Sequence, residues 1–367
     1  METPNSRRYL HLPQELTEEI LSRLAVKSLL RFRCVSKSWR CLIGSDRFIK
    51  THLQTSSKNA SLSHHRLVLQ KPLNLLDDRV NILSRAPVFI VGCCNGLVCC
   101  SINPEKGRFI LWNPATRISK ELPQFVKDNM RWSIVSYGFG WDESNDAHKV
   151  FVVMCSRKRL VGKLGKLYNS NTNSWKIVSE YPDFDLELIY GKEEFVSGKL
   201  HWLRKRRGGS GGWYAADIVT FDLKSEEFGV MEIPCESTRM LSLNEGCLRV
   251  VCYNKRMPFD VFTGAHIIDL EVWVMKQDCW VKVRDVVVYE PCEILPPVAP
   301  FSALHDVEIG LVRGSTFELD DPAQDDHVLS RMIQHRMMML KLKPFFAVNL
   351  YVESLVSPTP NKRGNCA

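Results

Sequence analysis

The 367-residue chain reads as an α+β multidomain protein: a small N-terminal α-helical module followed by a mainly-β, propeller-like body. Three observations predict this. Residues 12–43 carry apolar side chains at helical spacing. Farther along, short apolar or aromatic runs alternate with Gly, Asn, Asp and Pro turns. Within that region, pairs of aromatics seven positions apart recur at intervals of about fifty residues, the length of a four-stranded propeller blade.

In the N-terminal segment, Leu16, Ile20 and Leu24 stand at i, i+4 and i+8 with Leu21 beside them, so one helical face is apolar. Pro13 suits the first turn, where its missing N–H costs nothing. Ser28 or Lys27 is expected to open a second short helix carrying Leu29, Leu30 and Phe32. Ser36 is expected to cap a third, with Trp39, Leu42 and Ile43 on one side, and Ser45 a further turn through Phe48 and Ile49. Such a segment is too short to bury a core alone. Either the rest of the chain or a partner should cover it.

Residues 53–86 read as a linker that runs into a first strand around Arg66-Leu67-Val68-Leu69. The body, residues 87–357, contains the repeat. Tyr168 to Trp175, Phe221 to Phe228 and Trp273 to Trp280 each frame a polar centre, as the two strands of a hairpin do. Degenerate copies occur at Leu111-Trp112-Asn113-Pro114 and at Phe317 to Pro322, and a second marker precedes several hairpins (Asn95-Gly96-Leu97-Val98, Gly198 to Trp202, Gly246-Cys247-Leu248). A two-layer β-sandwich is the competing architecture; the repeat favours the propeller. The run Phe345 to Val352 is expected to return and complete the first blade, which removes an open edge. Residues 327–339 look like a helix or an irregular insertion, and residues 358–367 like a flexible tail.

Composition excludes several classes. Hydrophobic content of 45% and charged content of 25% are ordinary for a soluble globular protein. Neither a signal peptide nor a membrane-length apolar run is visible, and 13 irregularly spaced cysteines read as reduced thiols in the cytoplasm, the nucleus or both. The net charge of +8 is modest. Part of it is the run Arg204 to Arg207 before Gly208 to Gly212, read as an exposed loop between strands, with nuclear import as a second reading. No aromatic-interleaved basic face accompanies it, which argues against nucleic acid.

The residues from Leu12-Pro13 through Leu42 resemble an F-box, with Leu16, Ile20, Leu21, Leu24, Val26, Ser28, Leu29, Cys34, Val35, Ser36, Lys37 and Trp39 in unbroken register. The resemblance implies that residues 8–52 dock on a Skp-type adaptor and, through it, on a cullin–RING ligase. It assigns adaptor contacts to Leu12, Pro13, Leu16, Ile20, Leu21, Leu24, Leu29, Leu30, Val35 and Trp39. Gly92 to Cys99, Trp112 to Arg117, Tyr137 to Asp142 and Trp273-Val274-Met275 resemble the plant F-box-associated, kelch-like domain, up to about Pro291. That resemblance implies a body that binds a target protein for ubiquitination.

No catalytic, cofactor-binding or metal constellation stands out. Cys93-Cys94 and Cys99-Cys100 lack a second ligand pair at zinc spacing and flank an Asn95-Gly96 turn, which favours buried small hydrophobes. His201 beside Trp202 has no nucleophile or carboxylate motif to pair with and reads as a structural residue. The expected function is therefore substrate recognition without bond chemistry. The alternative is a carbohydrate-binding or catalytic kelch-like propeller with a helical appendage.

Overall fold

In the computed structural model the described residues are 12–58, 65–70, 88–102, 107–124, 132–156, 163–178, 189–207, 213–234, 238–244, 246–260, 265–291, 311–313, 316–318 and 347–359. The apolar periodicity of the first of these segments resolves into α1 (Gln14–Ser22), α2 (Val26–Phe32), α3 (Lys37–Gly44) and α4 (Asp46–Ser57). Pro13 is the N-cap of α1. Ser36 and Ser45 cap α3 and α4 as expected, accepting hydrogen bonds from the Trp39 and Phe48 amides at 3.1 and 3.2 Å. The second helix departs from expectation. It opens at Val26 behind Ala25, with no side-chain cap, because Val26 is buried in the bundle core and burial outweighs the missing cap.

Among the described residues, the four-stranded sheets of the body are antiparallel and their neighbours follow chain order. The first sheet comprises β2 (Val88–Cys94), β3 (Leu97–Ile102), β4 (Phe109–Asn113) and β5 (Ile118–Glu121). It is preceded by β1 (His65–Gln70). The second comprises β6 (Trp132–Asp142), β7 (Ala147–Ser156), β8 (Lys163–Asn169) and β9 (Ser174–Val178). The third comprises β10 (Ile189–Val196), β11 (Lys199–Arg207), β12 (Trp213–Asp222) and β13 (Phe228–Glu232). The fourth comprises β14 (Thr238–Asn244), β15 (Cys247–Asp260), β16 (Ala265–Lys276) and β17 (Cys279–Pro291). Two short strands, β18 (Leu311–Arg313) and β19 (Thr316–Glu318), pair with each other, and β20 (Ala347–Val352) pairs with β1.

Burial decides between propeller and sandwich. In a two-layer sandwich one face of each sheet meets solvent. Here β3 is buried along its whole length, and its alternating side chains enter two different cores. Leu97 and Cys99 join Phe109 and Leu111 against Val150, Val152 and Met154 of the second sheet. Val98, Cys100 and Ile102 face the other way, beside Tyr351 of β20. The pattern repeats on β7, whose Phe151 and Val153 pack on Leu200, Trp202 and Phe221 of the third sheet. In turn, Leu203 and Ile218 pack on Leu248 and Val250 of the fourth. Sheets stacked face to face in chain order, the first three packed on both faces, are propeller blades.

The Tyr137-Gly138-Phe139-Gly140-Trp141-Asp142 motif is explained by this stacking. Phe139 fills the core toward the first blade. On the opposite face, a Cβ at Gly138 would collide with Leu200, and one at Gly140 with Phe195 and Leu223, so glycine permits the third blade to approach.

The repeated aromatics occupy the outer hairpin of each blade. Tyr168 stands opposite Trp175, Phe221 opposite Phe228, and Trp112 opposite Ser119, all in one register. Trp273 and Trp280 differ: Trp280 faces Met275, because a two-residue turn at Gln277-Asp278, both with positive φ, shortens that hairpin. Phe317 stands opposite Val312 in the β18–β19 pair, while the rest of that copy and residues 327–339 lie outside the described residues.

Two further expectations are corrected. The returning strand pairs with β1, from His65↔Val352 to Gln70↔Ala347, and not with the first four-stranded blade. That pairing satisfies the backbone of both strands over six residues. The outer strand β5 offers only four residues, with Ser119 and Glu121 exposed. The run Arg204 to Arg207 is the end of β11 rather than a loop. Arg204 is buried in a two-pronged ion pair with Asp217 across the ladder, its Nε donating at 2.6 Å. Residues 208–212 lie outside the described residues.

Candidate functional site

The helices form a small bundle with a filled core. Leu21, Val26, Leu29, Ile43 and Phe48 are fully buried, with Leu24, Leu30, Phe32, Trp39, Leu42 and Ile49 partly buried around them. Phe32 meets Trp39 edge to face at 5.5 Å. His52, on α4, donates from Nε2 to the Leu24 carbonyl at 2.8 Å and so ties the α1–α2 turn to the last helix.

What remains uncovered is an apolar row along α1. Leu12, Leu16 and Ile20 are 59%, 48% and 52% exposed, and Val35, in the α2–α3 turn, is 63% exposed. Pro13 is exposed beside Leu12. The ten residues assigned to adaptor contact thus fall into three groups. Leu12, Pro13, Leu16, Ile20 and Val35 face solvent; Leu24, Leu30 and Trp39 are half-buried at the edge of the core; Leu21 and Leu29 are inside it. The periodicity of α1 could not separate exposed Ile20 from buried Leu21, because both lie within one broad apolar arc.

The missing cover for this bundle comes partly from the chain itself. Leu355, just after β20, joins the helical core, as does Ala115 from the β4–β5 turn. Asn113 organises both. Its side-chain oxygen accepts from the Ala115 and Thr116 amides at 2.8 and 3.1 Å, while its Nδ2 donates to the Ser354 and Val356 carbonyls at 2.9 and 2.7 Å. Lys50 of α4 meets Asp146 of the β6–β7 turn at 2.6 Å. Sequence reasoning missed these roles, although Asn113-Pro114 belongs to a recognisable motif: an Asn that opens a turn is legible, but its grip on a segment 241 positions away is not.

Cys94, Cys99 and Cys100 are buried, and burial pushes their thiols up, so they remain protonated. The cysteines of the 93–100 hairpin carry no disulfide, whereas Cys41 and Cys252 each take part in a disulfide and not in one bond with each other, which departs from the expectation of reduced thiols throughout. His201 is buried, donates from Nδ1 to the Glu194 carbonyl at 3.2 Å, and is pushed down to about 4 by desolvation. Lys149 is buried against Asp142 at 2.9 Å and reaches across to the third blade, donating to the Leu223 carbonyl and to Glu226. Among the described residues no cluster of His, Cys, Asp and Glu could hold a metal ion, and no helix is long and apolar enough to cross a membrane.

An uncovered apolar row on a four-helix bundle, joined to stacked four-stranded blades, matches known families over most of the chain. The F-box domain matches residues 9–51, and the F-box associated beta propeller domain matches residues 32–288. An F-box/kelch-repeat protein of Arabidopsis thaliana is 30% identical over 73% of this chain and 76% of its own length. Two further proteins of the same plant, an F-box protein and the F-box protein CPR1, are 27% and 26% identical over 71% and 75% of this chain and 72% and 73% of their own. The chain belongs to the family of F-box proteins with an F-box associated beta propeller domain.

Proposed function

We propose that the chain is the substrate-recognition subunit of a Skp–cullin–F-box ubiquitin ligase, working in the cytoplasm, the nucleus or both. In this reading the helices, within residues 8–52, capture a Skp-type adaptor. The propeller, within residues 87–357, holds a target protein for ubiquitination and degradation. One observation carries the docking half: Leu12, Leu16, Ile20 and Val35 stay exposed on a bundle whose own core is already filled. An apolar row at helical spacing, rimmed by Glu15, Glu19 and Arg23, suits helix-in-groove recognition. Leu12, Pro13, Leu16, Ile20 and Val35 enter the groove. Leu24, Leu30 and Trp39 line its edge, and Leu21 and Leu29 hold the helices that present the row.

The chain itself breaks and makes no bond. It raises the concentration of the target beside the ubiquitin-loaded enzyme, to the millimolar range typical of tethered groups. It also sets the orientation of the target lysine.

The test is co-purification of the full chain with a Skp-type adaptor. Leu16→Asp and Ile20→Asp each bury a carboxylate in the apolar groove, which costs several kcal/mol, so capture should fall by roughly a hundredfold or more. Because both side chains are exposed in the free chain, far-ultraviolet circular dichroism and the melting temperature should hold. Undiminished capture would overturn the assignment.

A further inference from the structure

The geometry points to residues 353–357 as a strap that locks the adaptor-docking helices onto the propeller, with Leu355 and Asn113 as the positioning residues; this rests on the function proposed above. Covalently, the helices and the propeller are joined after α4 through residues 59–64. The structure supplies a second connection. β20 runs antiparallel to β1, the first strand after the helices, so the chain leaves the propeller beside the point where it enters. Past β20, the chain turns onto the bundle, and Leu355, only 7% exposed, enters the core formed by Leu21, Val26, Leu29, Ile43 and Phe48.

The propeller holds the strap by polar contacts that leave little freedom. Asn113 is fully buried, and all four of its side-chain hydrogen bonds are spent at the junction. Two grip the strap on either side of Leu355. The other two shape the β4–β5 turn that brings Ala115 into the same helical core. One buried amide thereby orders two of the propeller segments that touch the helices. Ser354 adds a bond from its hydroxyl to the Asn95 carbonyl at 3.2 Å and rests on Gly96, where a Cβ would collide with it. The Lys50–Asp146 pair is a second point of contact, but both side chains are more than half exposed, so it contributes little rigidity.

The consequence is directional. With the strap seated, a target held by the propeller has one orientation relative to the adaptor. With the strap released, that orientation loosens and the target lysine samples a wider volume.

Hydrogen exchange and small-angle scattering on the full-length chain test this, using Leu355→Ala and Asn113→Ala separately. One releases the strap from the helices and the other from the propeller. Each should speed exchange at the amides of α3 and α4 by about tenfold or more and enlarge the maximum dimension in scattering. The amides of β7 and β8, in the second blade, should be unchanged. Wild-type exchange and dimensions in both variants would overturn the strap, and so would equal acceleration across all blades, since that signals general destabilisation. Adaptor capture, measured in parallel, reports separately on the docking assignment: its loss in the wild-type chain would remove that assignment and leave the mechanical result standing.

Discussion

At Gly96 two constraints coincide. Its φ of +76° lies in the left-handed region, and an added Cβ would collide with the Ser354 side chain and approach the Val352 carbonyl at 2.9 Å. Gly96→Ala should therefore destabilise by about 2 kcal/mol or more, beyond the roughly 1 kcal/mol that a left-handed alanine costs, because the strap must also shift. Thermal denaturation measures this. A change under about 0.5 kcal/mol would mean that Ser354 yields freely. The contrast is Gly198, which has a similar φ of +79° but open space around it, so an alanine there should cost only the backbone term. Both glycines read alike as turn residues in sequence. Only the neighbours tell them apart.

Among the elements, the outer hairpins show what the repeated aromatics do. Trp175 donates from Nε1 to the Pro123 carbonyl at 2.7 Å, just beyond the outer strand of the preceding blade. Trp280 makes the equivalent bond to the Glu232 carbonyl at 2.8 Å. The second aromatic of the unit is thus a tie between successive blades. In the third blade that position is Phe228, which has no N–H and instead meets Phe151 edge to face and Phe221 at a tilt. Replacing Trp175 by Phe keeps most of the apolar contact and removes one bond to a neutral acceptor, so the loss should be about 1 kcal/mol. Urea unfolding checks it, with the slope unchanged. A loss above about 3 kcal/mol would show that the indole acts mainly by filling volume. The spacing of these residues was visible in sequence, and so was the hairpin. The inter-blade partner was not, since it lies 52 positions upstream on another blade.

For the whole molecule, acidity is the condition that the buried histidines make decisive. Desolvation pushes His148 and His201 down to about 4, well below the value of about 6.5 in an unfolded chain. Over that interval the unfolded chain binds the proton and the folded one does not. Stability is therefore complete above about pH 6.5 and declines as pH falls toward 4, by on the order of 1–2 kcal/mol per histidine at pH 5. Asp142 acts lower on the scale. Burial favours its protonation, but bonds from Asn145, Ser144 and Lys149 outweigh it and hold the carboxyl well below the usual range, so its contribution fades only once pH falls below about 4. Urea midpoints at pH 7 and pH 5 are the measurement. Equal midpoints would contradict the buried, neutral state of both rings.

By itself, the sequence determined the helical module, the antiparallel hairpins and the blade period, because these depend on residues within a few positions of one another. Ser36 and Ser45 as caps, the Asn95-Gly96 turn and the apolar row on α1 are local features of this kind. Family membership was legible for the same reason: the matching motifs are contiguous. What only the tertiary structure decided are the relations between distant segments. These include which apolar residues of the bundle are core and which are exposed, and which strand β20 joins. They also include which residues seal the helices to the propeller. Burial and pairing of this sort are properties of the partner surface, and the residue that carries them, such as Leu355 or Asn113, has the same local signature wherever that partner lies. The apolar excess of residues 12–43 illustrates the division. Sequence could count the side chains in need of cover; the fold apportions them among the bundle's own core, the strap that follows β20 and the surface left open.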